Sequence, residues 1–228
     1  MAIVRSSVIG KYSGKLGDLA ARIIRGRIVL SQRPASFRVN NSPVMVEIRK
    51  KFAVSVGFVT SMLTLSPLQE IWDKVKDVTM SAHNFGVRKN FPLSSADKPT
   101  LDNMLTPKDG FPLIVTSAAI GADAVTAEIA PLGQVMVPDM AELDLVPNLM
   151  LCFYNPINAD DAPYAIVPVK TGHLMFDTIN PVLVNAPLDV TQQRTAGKYQ
   201  NSILYLAVST HDDKGKLVQY SSTYSQED

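Results

Sequence analysis

The residues with catalytic potential are few and scattered along the chain. His83, His173 and His211 sit in three different segments, whereas a hydrolytic or metal centre needs histidines, cysteines or carboxylates at defined spacing on a scaffold. No His-Glu-x-x-His run occurs. The densest local group, His211-Asp212-Asp213, could lend ligands to a cation, but Asp is a common turn residue and a solvated hairpin turn accounts for it better. Asp160, Asp161 and Asp177 could serve as paired acid and base only in a shielded pocket. Nothing around them in the sequence builds one, so a solubilising surface role is expected. Ser6, Ser7 and Ser13 near Lys11 and Lys15 lack the glycine-lysine-hydroxyl pattern of a phosphate loop. His173, beside a turn, is expected to be a hydrogen-bonded structural residue. Trp72 and Phe85 could stack on a sugar, yet Trp72 falls in a helical apolar stripe and is expected in the core. The lone Cys152 lies in an apolar run, which excludes an intrachain disulfide and predicts a buried thiol acting as a small hydrophobe. No catalytic residue, metal ligand or cofactor is assigned, and an enzyme is not expected.

What composition does single out is a charge division. The net charge is +1. Residues 1 to 51 nevertheless hold eleven Lys and Arg against Asp18 and Glu47, a balance of +9, and residues 52 to 228 hold the other eleven against nineteen acids, a balance of −8. Arg5, Lys11, Lys15, Arg22, Arg25, Arg27, Arg33 and Arg38 are the candidate contact residues of this basic arm. They could neutralise phosphates with steep salt dependence. They could equally dock on the acidic part of a neighbouring copy, with charge steering the encounter and buried Val, Ile and Leu holding it. Apolar residues interleave these cations, which favours a protein surface over nucleic acid.

The secondary structure that carries these residues is legible from periodicity. Residues 1 to 41 place glycines at 10, 14, 17 and 26 among Val, Ile and Leu. Such spacing permits tight bends but offers too few packed side chains for an independent core. One short strand is expected over Arg25 to Ser31, ended by Arg33-Pro34. Ser42-Pro43 then starts a helix of about five turns, with Val44, Ile48, Phe52, Val56, Val59 and Leu63 on one face. Ser66-Pro67, with Gln69 in the capping-box position, starts a second helix striped by Leu68, Ile71, Trp72, Val75 and Val78. Two short-linked helices predict an αα-hairpin. Residues 80 to 111 read as an irregular connection. After Pro112, short apolar segments alternate with turns. Strands are expected at Leu113 to Ile120, Ala124 to Ala130, Leu149 to Tyr154, Tyr164 to Lys170, Val182 to Val190, Ser202 to Thr210 and Lys216 to Tyr224.

Several of these segments carry a resemblance. Gly10-Lys11-Tyr12-Ser13-Gly14-Lys15-Leu16-Gly17, the Gly26 to Pro34 segment, the helix with Arg49-Lys50-Lys51-Phe52, the run into Tyr154-Asn155-Pro156 and the Tyr205 to Tyr224 hairpin occur in that order. Together they resemble an uncharacterised family, labelled only as a domain of unknown function, found mainly in Bacteroidetes-type bacterial genomes. The likeness spans nearly the whole chain. Because that family has no established activity, the resemblance implies an architecture and transfers no catalytic residue.

The expected fold class is therefore α+β. An extended basic arm (1–41) and an αα-hairpin with its connection (42–111) precede an immunoglobulin- or fibronectin-like antiparallel β-sandwich (112–228). The expected function is a non-enzymatic structural protein whose arm docks on copies of itself or other assembly subunits, such as a bacteriophage tail, connector or capsid-associated component. A binding module using the loops Asn155 to Ala162 and His211 to Lys216 for carbohydrate or protein is the alternative, and a cellular surface or filament subunit a lesser one. No run is long and apolar enough for a membrane span. The start of the chain lacks the apolar block of a secretory signal, so synthesis in a bacterial cytoplasm and a final place in a virion or other large assembly are expected.

Overall fold

The computed structural model describes residues 2–4, 13–24, 26–34, 36 and 39–228. The chain divides into two compact units, Met1–Ser42 and Pro43–Asp228.

In the first unit, β1 (Ala2–Val4), β2 (Gly14–Leu16), β3 (Leu19–Ile24) and β4 (Arg27–Gln32) form an antiparallel sheet in the order β1-β4-β3-β2. This replaces the expected extended arm with its one short strand. Its cause is turn chemistry. The pairs Leu16↔Leu19 and Ile24↔Arg27 each close on a two-residue loop. Gly17 and Gly26 take φ of +56° and +75° there, the left-handed conformation that matches a tight hairpin to strand twist.

The second unit is α+β, as the periodicities predict. Its helices α1 (Pro43–Met62), α2 (Ser66–Val75) and α3 (Ala82–Asn90) precede β5 (Val115–Ile120), β6 (Ala124–Ile129), β7 (Asp144–Pro156), β8 (Tyr164–Val169), β9 (Leu174–Met175), β10 (Val182–Pro187), α4 (Val190–Ala196), β11 (Tyr199–His211), β12 (Leu217–Tyr220) and β13 (Tyr224–Glu227). A three-stranded sheet runs β10-β6-β5. The larger sheet runs β12-β11-β7-β8, with β13 also on β11 and β9 also on β7.

The long strands β7 and β11 pair from Tyr199↔Pro156 to His211↔Asp144 and are buried on both faces. One face sends Leu149, Leu151, Phe153, Leu204, Leu206 and Val208 against Val125, Ile129, Val182 and Val184 of the smaller sheet. The other sends Met150, Cys152, Ile203, Tyr205 and Ala207 against Phe58, Val59, Met62, Ile71 and Trp72 of the helices. The layers are thus helices, long sheet and short sheet. Double coverage is why the residues of β7 read as one unbroken apolar run, where a sheet with one wet face would alternate.

The helical layer departs from the expected αα-hairpin. The chain bends by 113° between α1 and α2, and α3 packs against both. At the start of α2 the side-chain cap expected of Ser66 is absent, and Leu65 holds the N-cap position. Helix α3 lies in the stretch expected to be irregular. Ser81 caps it by accepting from the Asn84 N–H, and Gly86 lets it close on α1, since a Cβ there would meet Val59 at 3.0 Å. Buried Asn90 then pins the segment beyond the helix: its side chain donates to the Gly86 and Met104 carbonyls and accepts from the Met104 N–H and Asn103 Nδ2. The sequence boundary at residue 111 falls inside one compact unit whose helices and strands share a core.

Ile203 and Leu204 are neighbours on β11 that face opposite cores. Truncating either to Ala is expected to lower the unfolding free energy by about 2–5 kcal/mol in urea titrations. A near-neutral result at either position would contradict double coverage.

Candidate interaction surfaces

The register of the N-terminal sheet places the expected contact residues. Because directly paired residues share a face, the ladders Lys15↔Ala20, Arg22↔Val29 and Ile24↔Arg27 put Lys15, Arg22 and Arg27 on one side together with Ile24 and Val29. The other side carries Leu19, Ala21, Ile23, Ile28 and Leu30. Lys15, Arg22 and Arg27 are exposed. Arg33 is also exposed, just past β4, where its N–H donates to the Asp18 carbonyl at 2.8 Å. Arg5, Lys11, Arg25 and Arg38 lie outside the described residues. Ala21 and Ile28 are buried while Leu19 and Ile23 stay exposed.

In the larger unit, the face of α1 that the body buries is rotated from the expected stripe: of its members only Val59 is buried, Val56 and Leu63 are half-buried, and the buried face runs through Val54, Phe58 and Met62. Val44 and Phe52 are 65% and 53% exposed and Ile48 is exposed as well. Arg49 and Lys50 are exposed on this first half of the helix, and the Lys51 ammonium donates to the Pro92 carbonyl at 3.1 Å.

A surface with acidic residues lies at the β9 end of the long sheet, and sequence reasoning missed it. Segments 133–144 and 174–179 run together through Gly133 N–H to Thr178 O and Phe176 N–H to Leu143 O. They expose Val137, Met140, Leu143, Met175 and Ile179. Asp139, Asp144 and Asp177 belong to the same segments, and the adjoining β11–β12 turn exposes Asp213 together with Lys214 and Lys216. The available signal was large apolar residues placed among Pro and Asp in a segment without strand alternation.

Several of the groups weighed for catalysis are engaged in structural contacts, while Ser6 and Ser7 lie outside the described residues. His211 is buried, its Nδ1 facing the Gly215 carbonyl at 3.2 Å and its Nε2 facing Ser209 Oγ at 3.0 Å. A carbonyl only accepts, so Nδ1 carries the ring proton. The expected solvated turn is therefore right for Asp212, which accepts from the Lys214 and Lys216 N–H groups and is held below the usual carboxylate range by them, Lys216 foremost. It is wrong for His211. His173 Nδ1 lies 3.5 Å from Asp144 Oδ2, and the His173 and His211 rings are 6.3 Å apart. His83 is elsewhere, on α3 beside Thr60. Among the described residues no group of three or more His, Cys, Asp or Glu is arranged for a metal. Asp161 pairs with Lys198 at 2.9 Å, which lowers its pKa, while the Asn180 amide and nearby N–H groups lower that of Asp177.

The loops expected to act together as a binding site are separated. Asn155 to Ala162 begins at the pairing Tyr199↔Pro156 and His211 to Lys216 at His211↔Asp144, the two ends of one ladder. Thirteen residues at about 3.4 Å each put them roughly 40 Å apart. The second loop borders a cavity of about 410 Å³ whose walls include Glu70, Asn148, Lys170, His173 and His211.

Comparisons add no family. No family model matches the chain, and no curated protein does. Two solved structures of a beta-glucosidase from Kluyveromyces marxianus, one in complex with glucose and one selenomethionine-labelled, share 10% and 8% identity at TM-scores of 0.19 and 0.17. The match covers 51% of this chain and only 14% of theirs, a likeness too slight to carry an argument. Among the described residues no single helix is long and apolar enough to cross a membrane.

Cys152 is fully buried, as expected, and burial pushes its thiol up to about 12 against a smaller opposing pull from Lys98. The folded chain holds this proton more tightly than the unfolded chain. The associated stability is therefore complete below about pH 8.5, the free-thiol range, and is lost as pH rises toward about 12. Cys152→Ala is expected to flatten the alkaline limb of a stability–pH profile. In the unaltered chain a disulfide reagent such as Ellman's should label Cys152 no faster than the protein opens, and labelling at the rate of a free thiol would contradict the burial.

Proposed function

We propose that the chain is a non-enzymatic structural subunit that assembles head to tail with copies of itself. The carrying observation is a complementary pair of surfaces, each with uncovered apolar residues. One is basic, formed by the sheet with Lys15, Arg22, Arg27, Ile24 and Val29. The other is acidic, formed by the segments exposing Met140, Met175 and Ile179 beside Asp139 and Asp213. Charge steers such an encounter and excludes like surfaces, while apolar contact supplies affinity. Ile24 and Val29 among the cations favour a protein partner, because phosphate contact makes no use of them. In this reading the stacked sheets form a fibronectin-like body bearing a helical layer, and a bacteriophage virion part is the assembly class proposed.

A heterologous contact uses two different patches, so it can be broken at either one. By light scattering after size exclusion, the unaltered chain is expected to form oligomers that dissociate as salt is raised. Arg22→Glu with Arg27→Glu, and separately Asp139→Lys with Asp213→Lys, are each expected to give monomers. Mixing the two variants should yield a dimer and nothing larger, since one intact patch remains on each. A monomer at every concentration for the unaltered chain overturns the reading, and salt-sensitive retention of the chain on DNA would transfer the basic face to nucleic acid.

A further inference from the structure

We infer a second site, independent of assembly: a cleft over Trp72 that binds a small amphiphile with an apolar body and one anionic group, such as a medium-chain carboxylate. The cleft, about 530 Å³ in volume, lies between α2, α3 and the segment around 104–109. That size falls within the range of ligand sites. Trp72 and Phe85 line it, their rings edge to face at 6.0 Å and both buried. The one polar atom of the indole donates to the Leu105 carbonyl at 2.8 Å, and Trp72 is wholly buried, so Trp72, Phe85 and Met104 form an apolar floor beneath the cleft. The apolar surface open to a ligand comes from half-buried Val75 and Leu93 and exposed Pro92.

Charge at the cleft selects the ligand's head group. Lys89 and Lys108 both border it and both are exposed. Neither takes part in any of the ion pairs formed among the described residues. The Lys89 ammonium stands 5.3 Å over the Phe85 ring, directly above the apolar lining. The one carboxylate at the cleft, exposed Asp109, lies near Tyr220, whose hydroxyl pKa is raised by burial first and by Asp109 next. Two ammonium groups against one carboxylate leave the rim net positive, which suits a single anion whose tail turns inward.

The cleft is also built to stay open without a ligand. Asn90 holds Met104 from both its N–H and its carbonyl, and the Thr223 hydroxyl accepts from the Leu105 and Thr106 N–H groups at 2.8 and 3.0 Å. A preformed wall spares the ligand the cost of ordering it.

Trp72 is the only tryptophan in the chain, so the emission comes from this one indole at the cleft floor, and the circular dichroism recorded beside it separates binding from a change in the core. Full-length protein titrated with dodecanoate below its micelle concentration is expected to show a saturable change in emission. Dodecanol and dodecyltrimethylammonium should bind roughly tenfold more weakly or not at all. Lys89→Gln with Lys108→Gln should weaken dodecanoate about tenfold while leaving the circular dichroism and urea midpoint unchanged, because both side chains are exposed. Lys214→Gln, in the β11–β12 turn, should leave binding unchanged. The inference is overturned if no saturable change occurs, if dodecanol binds as tightly as dodecanoate, or if the double variant retains full affinity. None of these outcomes depends on the oligomeric state, so this site and the assembly reading stand or fall separately.

Discussion

The antiparallel pairing of β7 with β11 is the constraint on which the body depends. Buried on both faces, the two strands have no water to satisfy backbone groups on their outer edges, so every such group must find a protein partner. The edges are covered by short strands that leave gaps, and side chains bridge the gaps. Between β12 and β13, the Val208 N–H donates to Ser221 Oγ at 2.8 Å and the Ser221 N–H donates back to the Val208 carbonyl at 2.9 Å. Between β9 and β8, Asn148 Nδ2 donates to the Val146 carbonyl and to Ser209 Oγ, and the Thr171 hydroxyl donates to the Pro147 carbonyl. Pro147 has no N–H to lose and sits where neither short strand pairs. These bonds explain a set of buried polar residues that would otherwise look misplaced in a core. Among the described residues no buried side-chain nitrogen or oxygen lacks a partner.

A centre so fully committed leaves function to the periphery. His211 and Ser209 are close enough to suggest a nucleophile and base, but both are buried within this stitching, and Ser209 Oγ already receives the Asn148 amide. A substrate atom has no approach to it. The length of the ladder has the same effect at larger scale, because it holds the loops at its two ends far apart and divides any surface recognition between them. Among the described residues, exposed apolar side chains stand on the N-terminal sheet, the first half of α1 and the β9 end, and clefts lie beside the helices.

Local chemistry made some of this legible in the sequence and tertiary packing hid the rest. Ser42-Pro43 marks the start of α1 correctly. Helix α3, with His, Asn and Gly in its nine residues, has weak intrinsic preference and forms because Phe85 and Val87 are buried. Helix α4 does carry a local signal, a capping box between Asp189 and Gln192, but the strand expected over Val182 to Val190 runs over that cap and no element is expected between Val190 and Ser202. Strand β7 begins at Asp144, earlier than its apolar run implies, because Pro147 resembles a strand end. The cations of the N-terminal sheet are visible as a composition, yet their common face is not, since it depends on register and register depends on two glycine turns. The Trp72 cleft was hidden for a simpler reason: a helical stripe predicts that Trp72 is buried and says nothing of which residues border it.

Helix α1 ties the charge division to the architecture. Apolar residues recur along it from Val44 to Leu63, but the body buries only residues from Val54 onward, on the face of Val54, Phe58, Val59 and Met62. The first half cannot be held by its own propensity, because about eleven residues are too few for a stable isolated helix. It persists as an extension of the buried half, which supplies the nucleus. An extension of this kind exposes apolar side chains that burial elsewhere would favour by roughly 1.5–3 kcal/mol each, and Val44, Ile48 and Phe52 repeat at four-residue steps along one side. The basic balance of residues 1 to 51 ends at the point where the body begins to cover the helix, so charge and uncovered apolar surface change together. Both features stand on one stretch of sequence, whereas the exposed apolar residues of the body, among them Val137, Met140 and Met175, stand among acids.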